Sequence, residues 1–428
     1  MDNKESIPQI VRQEIRPCRE GNEQTIEENR RRQILKRIHP KFVFPGEPPL
    51  GGWYTEEEVE AAIKTIRDSL HWNVGFLGDK EIKKFEDAFA EYIGTKYAIA
   101  INGAGTGLDM SMLCLNLKLG DEVISCAINF PGTHLAIIGK GANLVLCEPD
   151  PHTLNISPID VIRRITPRTR AILATHMNGL SADMDALLEI AHRHPHPKYG
   201  PLKVIGDAAR ACGAVYKNTK VGKKGWMNVF SFQSKKLLCT LGEGGMITTD
   251  DPLVNDKIRK FRAFGLGIGW GTNYLMTKVQ AAVGLVQLRR LDEMNKRRRK
   301  LAYQRTALLR RYIPELTLPY EPPGYKHVYY LYSILLPPGC SSKIRNHFIK
   351  ILERRYKIGC VIANPPTYKS NKFIKKHTHG QRLPLSEDIG NRLLCPSLHP
   401  LMTEEENKYI CAAICETYRQ LELQWRCF

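Results

Sequence analysis

The sequence predicts an α/β protein in which a large domain holds a mostly parallel mixed β-sheet flanked by helices, and a smaller α+β domain follows it. The chain has 428 residues, 43% of them hydrophobic and 25% charged, which is a globular composition with enough length for two domains. From Tyr97 onward, short apolar runs alternate with helix-like segments, the pattern of a sheet covered by helices. We therefore predict an N-terminal arm over residues 1–50, a large domain over 51–300 and a small domain over 301–428.

Local signals in the sequence define the elements of the large domain. Thr55 and Glu58 form a capping-box pattern at the start of one helix, and Gly94 is placed to end a second helix. The predicted strands are YAIAIN, DEVISCAI, ANLVLCEP, RAILATHM, KVIGDAA and NVFSF. Ligand sites in such sheets lie at the carboxyl ends of the strands, so residues directly after these runs are the first candidates for chemistry.

The flanking parts of the chain have different patterns. The arm is polar and rich in proline, which favours an extended or partly helical segment. A long helix is predicted to begin near Asn273, followed by a strand over 327–336 (HVYYLYSILL), a helix over 344–356 and a C-terminal helix from Thr403.

Composition excludes several classes of protein. No apolar run approaches the roughly 20 residues that span a bilayer, and the N-terminus lacks the apolar core of a signal peptide, so we expect a cytoplasmic protein. The 12 cysteines are scattered without a metal-ligand spacing, and no metal site is predicted. The net charge of +19 comes largely from basic runs in helical stretches that lack the interleaved aromatics of a nucleic-acid binder. These runs indicate solvated helix faces and an attraction for anionic substrates.

Two strand ends carry candidate binding groups. Gly103-Ala104-Gly105-Thr106-Gly107 follows the strand YAIAIN and opens a helix, so its backbone N–H groups could cradle a phosphate, although glycines also serve helix packing. Asp207 ends the strand KVIGDAA; it is either a helix N-cap or the partner of a protonated ring nitrogen. His176 ends the strand AILATH and is a candidate for a substrate-side role.

The stretch FSFQSKK carries the most chemistry. It brings Ser231, Gln233, Lys235 and Lys236 next to a glycine-rich loop, where desolvation lowers the pKa of a lysine and makes its amine nucleophilic. A phosphate cradle, a carboxylate and a lysine, in that order, are what pyridoxal phosphate requires. The cradle anchors the phosphate, the carboxylate keeps the ring nitrogen protonated, and the lysine binds the aldehyde. The combination therefore predicts a pyridoxal phosphate site.

The sequence also resembles a known family over most of its length, from about Gly52 to the C-terminus. The motifs that carry the resemblance are FEDAFAEYIGTKYAIAINGAGTGL, GDEVISCAINF, VIGDAARACGAVYKNTKVG, FSFQSKK with GEGGMITTDD, NYLMTKVQAAVGLVQLRRLDE and LLCPSLHPLMTEEE. They are similar to the DegT/StrS-type sugar aminotransferases, which are fold type I enzymes that use pyridoxal phosphate. The resemblance therefore implies this fold, this cofactor and amino transfer.

Carried over by position, the resemblance implies a role for each motif residue. The sixth position of the family's SFxxxK pattern falls on Lys236, which would bind the cofactor covalently. Lys235 is the alternative, because the segment that follows is one residue longer than in the commonest family pattern. The remaining residues would bind the cofactor's phosphate (Gly105, Thr106 and Ser231), its ring face (Phe130), its ring nitrogen (Asp207) and a neighbouring subunit's cofactor (Asn273). The last role implies a homodimer.

Three positions depart from the family pattern. Arg210 stands where glutamine or histidine is common, and would change contacts near the cofactor's phenolic oxygen. Leu275 replaces the arginine of an Asn-Tyr-Arg pattern, and Ala104 replaces the serine of the phosphate loop. Lys236 is retained, whereas the family's dehydratase branch has histidine there, so amino transfer is favoured.

The expected reaction transfers an amino group from glutamine or glutamate to a ketone on a scyllo-inosose-like cyclitol or a keto-sugar, in antibiotic or other secondary-metabolite biosynthesis. Gln233 in the SFQxxK form resembles the cyclitol branch more than the SFHxxK nucleotide-sugar branch. The alternatives are a nucleotide-sugar aminotransferase, a dehydratase on the same fold and a non-catalytic nucleic-acid-binding regulator.

Overall fold

The computed structural model describes residues 22–425, apart from positions 39, 41, 42, 79, 268 and 379. Residues 1–21 of the predicted arm therefore lie outside the described part of the chain. The helices are α1 (Asn22–Arg37), α2 (Glu56–Asp68), α3 (Lys80–Ile93), α4 (Ala104–Leu115), α5 (Pro131–Gly139), α6 (Pro158–Arg164), α7 (Met184–Arg193), α8 (Pro252–Phe261), α9 (Lys278–Tyr312), α10 (Ser342–Tyr356), α11 (Thr367–Ser370), α12 (Lys372–His377), α13 (Pro384–Arg392) and α14 (Glu404–Trp425).

The strands form three sheets. They are β1 (Tyr97–Ile101), β2 (Glu122–Cys126), β3 (Asn143–Cys147), β4 (Thr169–Thr175), β5 (Lys203–Asp207), β6 (Val215–Tyr216), β7 (Thr219–Lys220), β8 (Met227–Ser231), β9 (Gly245–Thr249), β10 (Tyr325–Lys326), β11 (Ile334–Leu335), β12 (Cys360–Val361) and β13 (Leu393–Pro396). A 3-10 turn covers Met177–Gly179. The main sheet has the order β1-β9-β8-β5-β4-β2-β3, and the two small sheets have the orders β10-β6-β7 and β11-β13-β12.

The main sheet is mixed and mostly parallel, as predicted. Strands β3, β2, β4, β5 and β8 are parallel to one another, and only β9 runs against its neighbours β8 and β1. Because β9 reverses direction between them, β1 and β8 point the same way. The carboxyl ends of the six strands recognised in the sequence therefore meet at one edge, where a doubly wound sheet places its ligand site.

Helix α4 lies directly on the sheet because two glycines allow a close approach. A Cβ atom on Gly107 would lie 2.6 Å from Val229 Cγ1 of β8, and one on Gly245 would lie 2.9 Å from the carbonyl carbon of Gly103. Gly245 pairs with Ser231 at the end of β8. The first turn of α4 is thereby held beside the Ser231 side of the sheet edge.

Aromatic packing fixes the end of β8 from the other face. Phe89 of α3 packs edge-on against Phe230 and Phe232, with ring centroids 5.0 and 5.5 Å apart. All three rings are fully buried. Since Phe230 and Phe232 flank Ser231 in sequence, their anchoring turns the Ser231 side chain toward the opposite face, where α4 begins.

The predicted capping box is present at the start of α2. The Thr55 backbone N–H donates to Glu58 Oε2 at 2.7 Å, and the Thr55 side chain caps the first turn. Helix α9 begins at Lys278 and runs for 35 residues along the large domain into the core of the C-terminal part.

One predicted element is wrong. Only Ile334 and Leu335 of the segment 327–336 pair with another strand. Tyr329 has φ +49°, a left-handed conformation that breaks an extended chain, and the Val328 N–H donates to the Gly179 carbonyl instead of a strand partner. The segment therefore bends around the 3-10 turn and turns Tyr330 toward the sheet edge.

The boundaries of the arm and of the two domains remain predictions. Helix α1 packs against α14, and Arg31 of α1 lies over the Tyr312 ring with 4.9 Å to its centroid. No helix in the described part of the chain is both long and apolar enough to cross a membrane.

Candidate active site

A cavity of about 700 Å³ opens at the carboxyl edge of the main sheet. Its walls come from the residues that follow β1, β2, β5 and β8, and from the segment after β12. The structure brings eight of the candidates to this cavity: Gly105, Phe130, Asp207, Arg210, Ser231, Gln233, Lys235 and Lys236. Residues far apart in sequence thus share one site because their strands end at the same edge.

The first turn of α4 and Ser231 form one end of the site. The N-cap Gly103 makes no side-chain capping bond, and a Cβ on Gly105 would meet open space. The first N–H groups of a helix are unsatisfied by the helix itself and carry its positive dipole end. The Ser231 hydroxyl accepts from the Gln233 N–H at 3.4 Å and keeps its own proton for another acceptor. This end suits a phosphate.

Asp207 provides a buried carboxylate at the opposite end. It is 4% exposed, and its oxygens accept hydrogen bonds from the Thr133 hydroxyl at 2.7 Å and the Ala209 N–H at 3.1 Å. Within the described part of the chain, no lysine, arginine or histidine lies within ion-pair distance of it. A buried carboxylate held by neutral donors and facing a cavity suits a cationic ring N–H.

Lys236 extends into the same cavity, and its surroundings differ from those of Lys235. Burial, together with repulsion from Arg210, lowers the pKa of Lys236 to about 8. Its amine donates to the Tyr330 hydroxyl at 2.8 Å. Lys235 is exposed, and its amine lies 3.4 Å from Glu47 Oε2. Lys236 as the cofactor-binding lysine remains a prediction; of the two side chains, Lys235 is the exposed one.

Arg210 places a second cation beside the lysine. It is 7% exposed and donates to Asn178 Oδ1 and to Asn364 Oδ1, both at 2.9 Å. Among the described residues it forms no ion pair with a carboxylate; besides the two amide oxygens it contacts the Met177 sulfur and the Tyr330 ring. An unneutralised buried guanidinium on a cavity wall favours an anionic group of a bound molecule.

Phe130 and Gln233 form the sides of the cavity. Phe130 precedes α5, and its side chain is 61% exposed, so a ring face is available for stacking. The Gln233 side chain accepts from the Lys235 N–H at 2.9 Å through Oε1, which leaves its NH₂ group free to donate.

Three predicted residues lie outside this cavity lining. The Thr106 hydroxyl turns back to Asn102 Oδ1 at 2.8 Å. His176 is buried beneath Asp207: its Nδ1 accepts from the Ala182 N–H at 3.1 Å, and burial lowers its pKa to about 4. Asn273 is exposed on the loop before α9 and does not line its own chain's cavity.

Three side chains that hold the candidate site residues in place were not recognised from the sequence. Thr133 holds Asp207, Asn364 holds Arg210, and Tyr330 holds Lys236. Thr133 could have been noticed as the hydroxyl three residues after Phe130. The other two come from distant segments that have no local signal.

The donor set fits pyridoxal phosphate. A helix N-terminus with a serine hydroxyl suits its phosphate, a buried carboxylate without a cation suits its ring N–H, and an amine of lowered pKa suits its aldehyde.

Comparisons with known proteins point to one family. The sequence model of the DegT/DnrJ/EryC1/StrS aminotransferase family matches residues 55–415. GDP-perosamine synthase of Caulobacter vibrioides is 35% identical over 342 residues, covering 78% of this chain and 89% of that protein. The spore coat polysaccharide biosynthesis protein SpsC of Bacillus subtilis is 31% identical over 400 residues, covering 89% and 98%. The crystal structure of DesV from S. venezuelae matches with a TM-score of 0.76 and 30% identity, covering 84% of this chain and 94% of DesV.

We predict that borohydride will fix pyridoxal phosphate to Lys236. The chain is loaded with cofactor, reduced and digested, and the modified peptide is sequenced by mass spectrometry. Wild type and Lys235→Ala are expected to carry the label on Lys236, because burial lowers the pKa of its amine, whereas the Lys235 side chain is exposed at the edge of the cavity. Lys236→Ala is expected to lose the label. A label on Lys235 in the wild type would contradict the assignment.

Proposed function

The chain belongs to the DegT/DnrJ/EryC1/StrS family and is a pyridoxal phosphate-dependent aminotransferase, and we propose that it moves an amino group from glutamate or glutamine to a ketone of a sugar. The observation that carries the proposal is the shared cavity, which the α4 N-terminus, Asp207 and Lys236 all line and which therefore offers a group for each of the cofactor's three functional groups. The relatives named for perosamine and for a polysaccharide support a sugar acceptor.

Each residue of the site has a defined task in this reaction. When bound, pyridoxal phosphate supplies an electron-withdrawing ring that carries the amino group between the two substrates. The α4 N–H groups and the Ser231 hydroxyl would hold the phosphate, and Phe130 would pack on the ring. Asp207 would keep a proton on the ring nitrogen, because its buried carboxylate is stabilised by pairing with a cation.

Lys236 would first attach the cofactor and then act as the base. Its pKa of about 8 leaves a useful fraction of the amine neutral near physiological pH, so it can accept a proton from the substrate carbon and return one. The cavity walls keep the amine largely out of bulk water. Arg210 would bind the donor's carboxylate or the cofactor's phenolic oxygen, since both are anions that its two amide partners do not neutralise.

A nucleotide-linked keto-sugar is the acceptor that we propose first. The net charge of +19 favours an acceptor that carries phosphates, and the relative named GDP-perosamine synthase supports the same class. A cyclitol ketone is the second candidate. The observation in its favour is Gln233, whose amide lines the cavity in the SFQxxK form that resembles the cyclitol branch.

We also propose that the working unit is a homodimer. An apolar stripe on α2 (Val59, Ile63 and Ile66) continues into Leu70, Trp72, Val74, Phe76 and Leu77, and each of these side chains is at least 41% exposed. The Lys278 amine donates to the Gly75 carbonyl at 2.6 Å and fixes this segment beside the loop that carries Asn273. A second copy seated on the stripe would cover the apolar surface and bring Asn273 toward its own cavity.

The reaction is tested by product analysis. Cofactor-loaded protein is incubated with glutamate or glutamine and either a nucleotide-linked 4-keto-sugar or an inosose, and we expect a new primary amine on one acceptor together with a 2-oxo acid. Lys236→Ala is expected to slow the reaction about 10²–10⁴-fold or more, as for loss of a positioned base. Lys408→Ala, on the surface of α14, is the matched control. Acceptor dehydration without amine formation would contradict the proposal and favour the dehydratase alternative.

The dimer is tested by sedimentation. Trp72→Glu is expected to raise the dimer dissociation constant about 30-fold or more, because a buried interface tryptophan commonly contributes ~2 kcal/mol or more. Leu119→Glu, an equally exposed apolar position in the loop before β2, should leave it unchanged. A wild-type protein that stays monomeric while fully active would exclude the proposed role of Asn273.

A further inference from the structure

The segment 44–52 lies outside the part of the chain that matches the family, yet it is attached to the active site at both ends. At one end, the Phe44 N–H donates to the Lys357 carbonyl at 2.8 Å, and the Gly359 N–H donates to the Phe44 carbonyl at 2.7 Å. These bonds tie the segment to the chain before β12. We call residues 44–52 the strap.

The other end of the strap lies on the lysine loop. The Gly51 N–H donates to the Ser234 carbonyl at 2.9 Å, and a Cβ on Gly51 would lie 2.1 Å from the Lys235 carbonyl oxygen. Only glycine permits this approach. The Arg298 guanidinium donates to the Gly51 carbonyl, so the strap is held from α9 as well.

Glu47 lies in the middle of the strap and reaches the catalytic lysine through one residue. Its Oε1 accepts a hydrogen bond from the Tyr330 hydroxyl, and the Lys236 amine donates to that same hydroxyl at 2.8 Å. The Glu47 carboxylate also lies 3.4 Å from the Lys235 amine, and its side chain is 22% exposed. Glu47, which itself lines the cavity, therefore forms with Tyr330 and Lys236 a chain of hydrogen bonds between the strap and the lysine.

The direction of these bonds matters for the lysine. Because the Tyr330 proton is directed to Glu47, the tyrosine oxygen can only accept from Lys236. A neutral Lys236 then donates one N–H to Tyr330 and keeps its lone pair for the cavity, and a protonated Lys236 is stabilised by the polarised hydroxyl. The Lys236 ammonium also lies 4.5 Å from the centroid of the Tyr330 ring, a cation–π arrangement.

We propose that Glu47 is a positioning residue that, through Tyr330, orients the Lys236 amine and raises its affinity for a proton. The proposal deepens the assigned role of Lys236 and rests on it. The other charged groups around the amine are Arg210 and Lys235, which oppose protonation, and Asp207, which favours it; Arg298 faces Tyr330 from α9. Glu47 thereby offsets part of the Arg210 charge.

The test measures the proton affinity of Lys236 directly in the cofactor-free full chain. The rate at which a small amine-acylating reagent modifies Lys236 is followed across pH by peptide mass spectrometry, in wild type, Glu47→Gln, Tyr330→Phe and the double variant. Wild type should show a midpoint near pH 8. Glu47→Gln should lower it by about half a unit, which raises the rate at pH 7 about threefold. Glu404→Gln, which removes an equal charge on the surface of α14, is the matched control and should not change it.

The double variant separates the effect of Glu47 on Lys236 that is transmitted through Tyr330 from a direct electrostatic effect. Tyr330→Phe alone should also lower the midpoint, since the amine loses its acceptor. In the Tyr330→Phe background, Glu47→Gln should then shift the midpoint by less than half of the amount by which it shifts the midpoint in the wild type. An unchanged midpoint in Glu47→Gln, or the same shift in both backgrounds, would overturn the proposal. The measurement needs neither cofactor nor substrate, so failure of the proposed reaction would leave its result intact.

Discussion

A carboxylate held without a cation at the end of a parallel strand is the constraint on which the rest of the site depends. Asp207 ends β5 in the middle of the main sheet, where burial makes an unpaired charge costly. The Thr133 hydroxyl and the Ala209 N–H reduce that cost with neutral hydrogen bonds. A bound cation would stabilise the carboxylate further, and Asp207 lines the cavity. We therefore propose that the site takes a ligand with a protonated ring nitrogen.

The positive groups are distributed so that they do not neutralise this carboxylate. The Lys236 amine is hydrogen-bonded to Tyr330, and the Arg210 guanidinium is hydrogen-bonded to Asn178 and Asn364, so neither cation pairs with Asp207. At the far end, the first turn of α4 offers backbone donors and a partial positive charge for a dianion. One molecule with an anionic tail and a cationic ring can pair with both the first turn of α4 and the Asp207 carboxylate. The same burial that makes these charges costly also lowers the pKa of Lys236 and makes its amine reactive.

The sheet and the core of the site could be predicted because both follow from local rules. Six apolar runs became strands of the main sheet, and Gly105, Asp207, Ser231 and Lys236 converged because strand ends share one edge. The strand predicted over 327–336 was wrong because the left-handed Tyr329 bends the chain. The apolar residues of this segment pack into the hydrophobic cores instead of forming a strand.

The remaining contributors depend on tertiary approach, which no local pattern records. Glu47 reaches the site only because Gly51 lets the strap lie on the backbone of Lys235 and Lys236. His176 ends a strand on the correct edge, yet its ring turns into the core below Asp207. A position at the end of a strand therefore does not by itself place a residue in the site, because side-chain direction decides which residues enter the cavity.

The most direct test of the central claim is the protonation state of the bound cofactor's ring nitrogen, measured by ¹⁵N NMR with pyridoxal phosphate labelled at that atom. In the wild type the chemical shift should be that of a protonated nitrogen across the range in which the protein is folded, because the buried Asp207 carboxylate stabilises the N–H cation. In Asp207→Asn it should move to the value of an unprotonated nitrogen. An unprotonated nitrogen in the wild type, or an unchanged shift in the variant, would contradict the account.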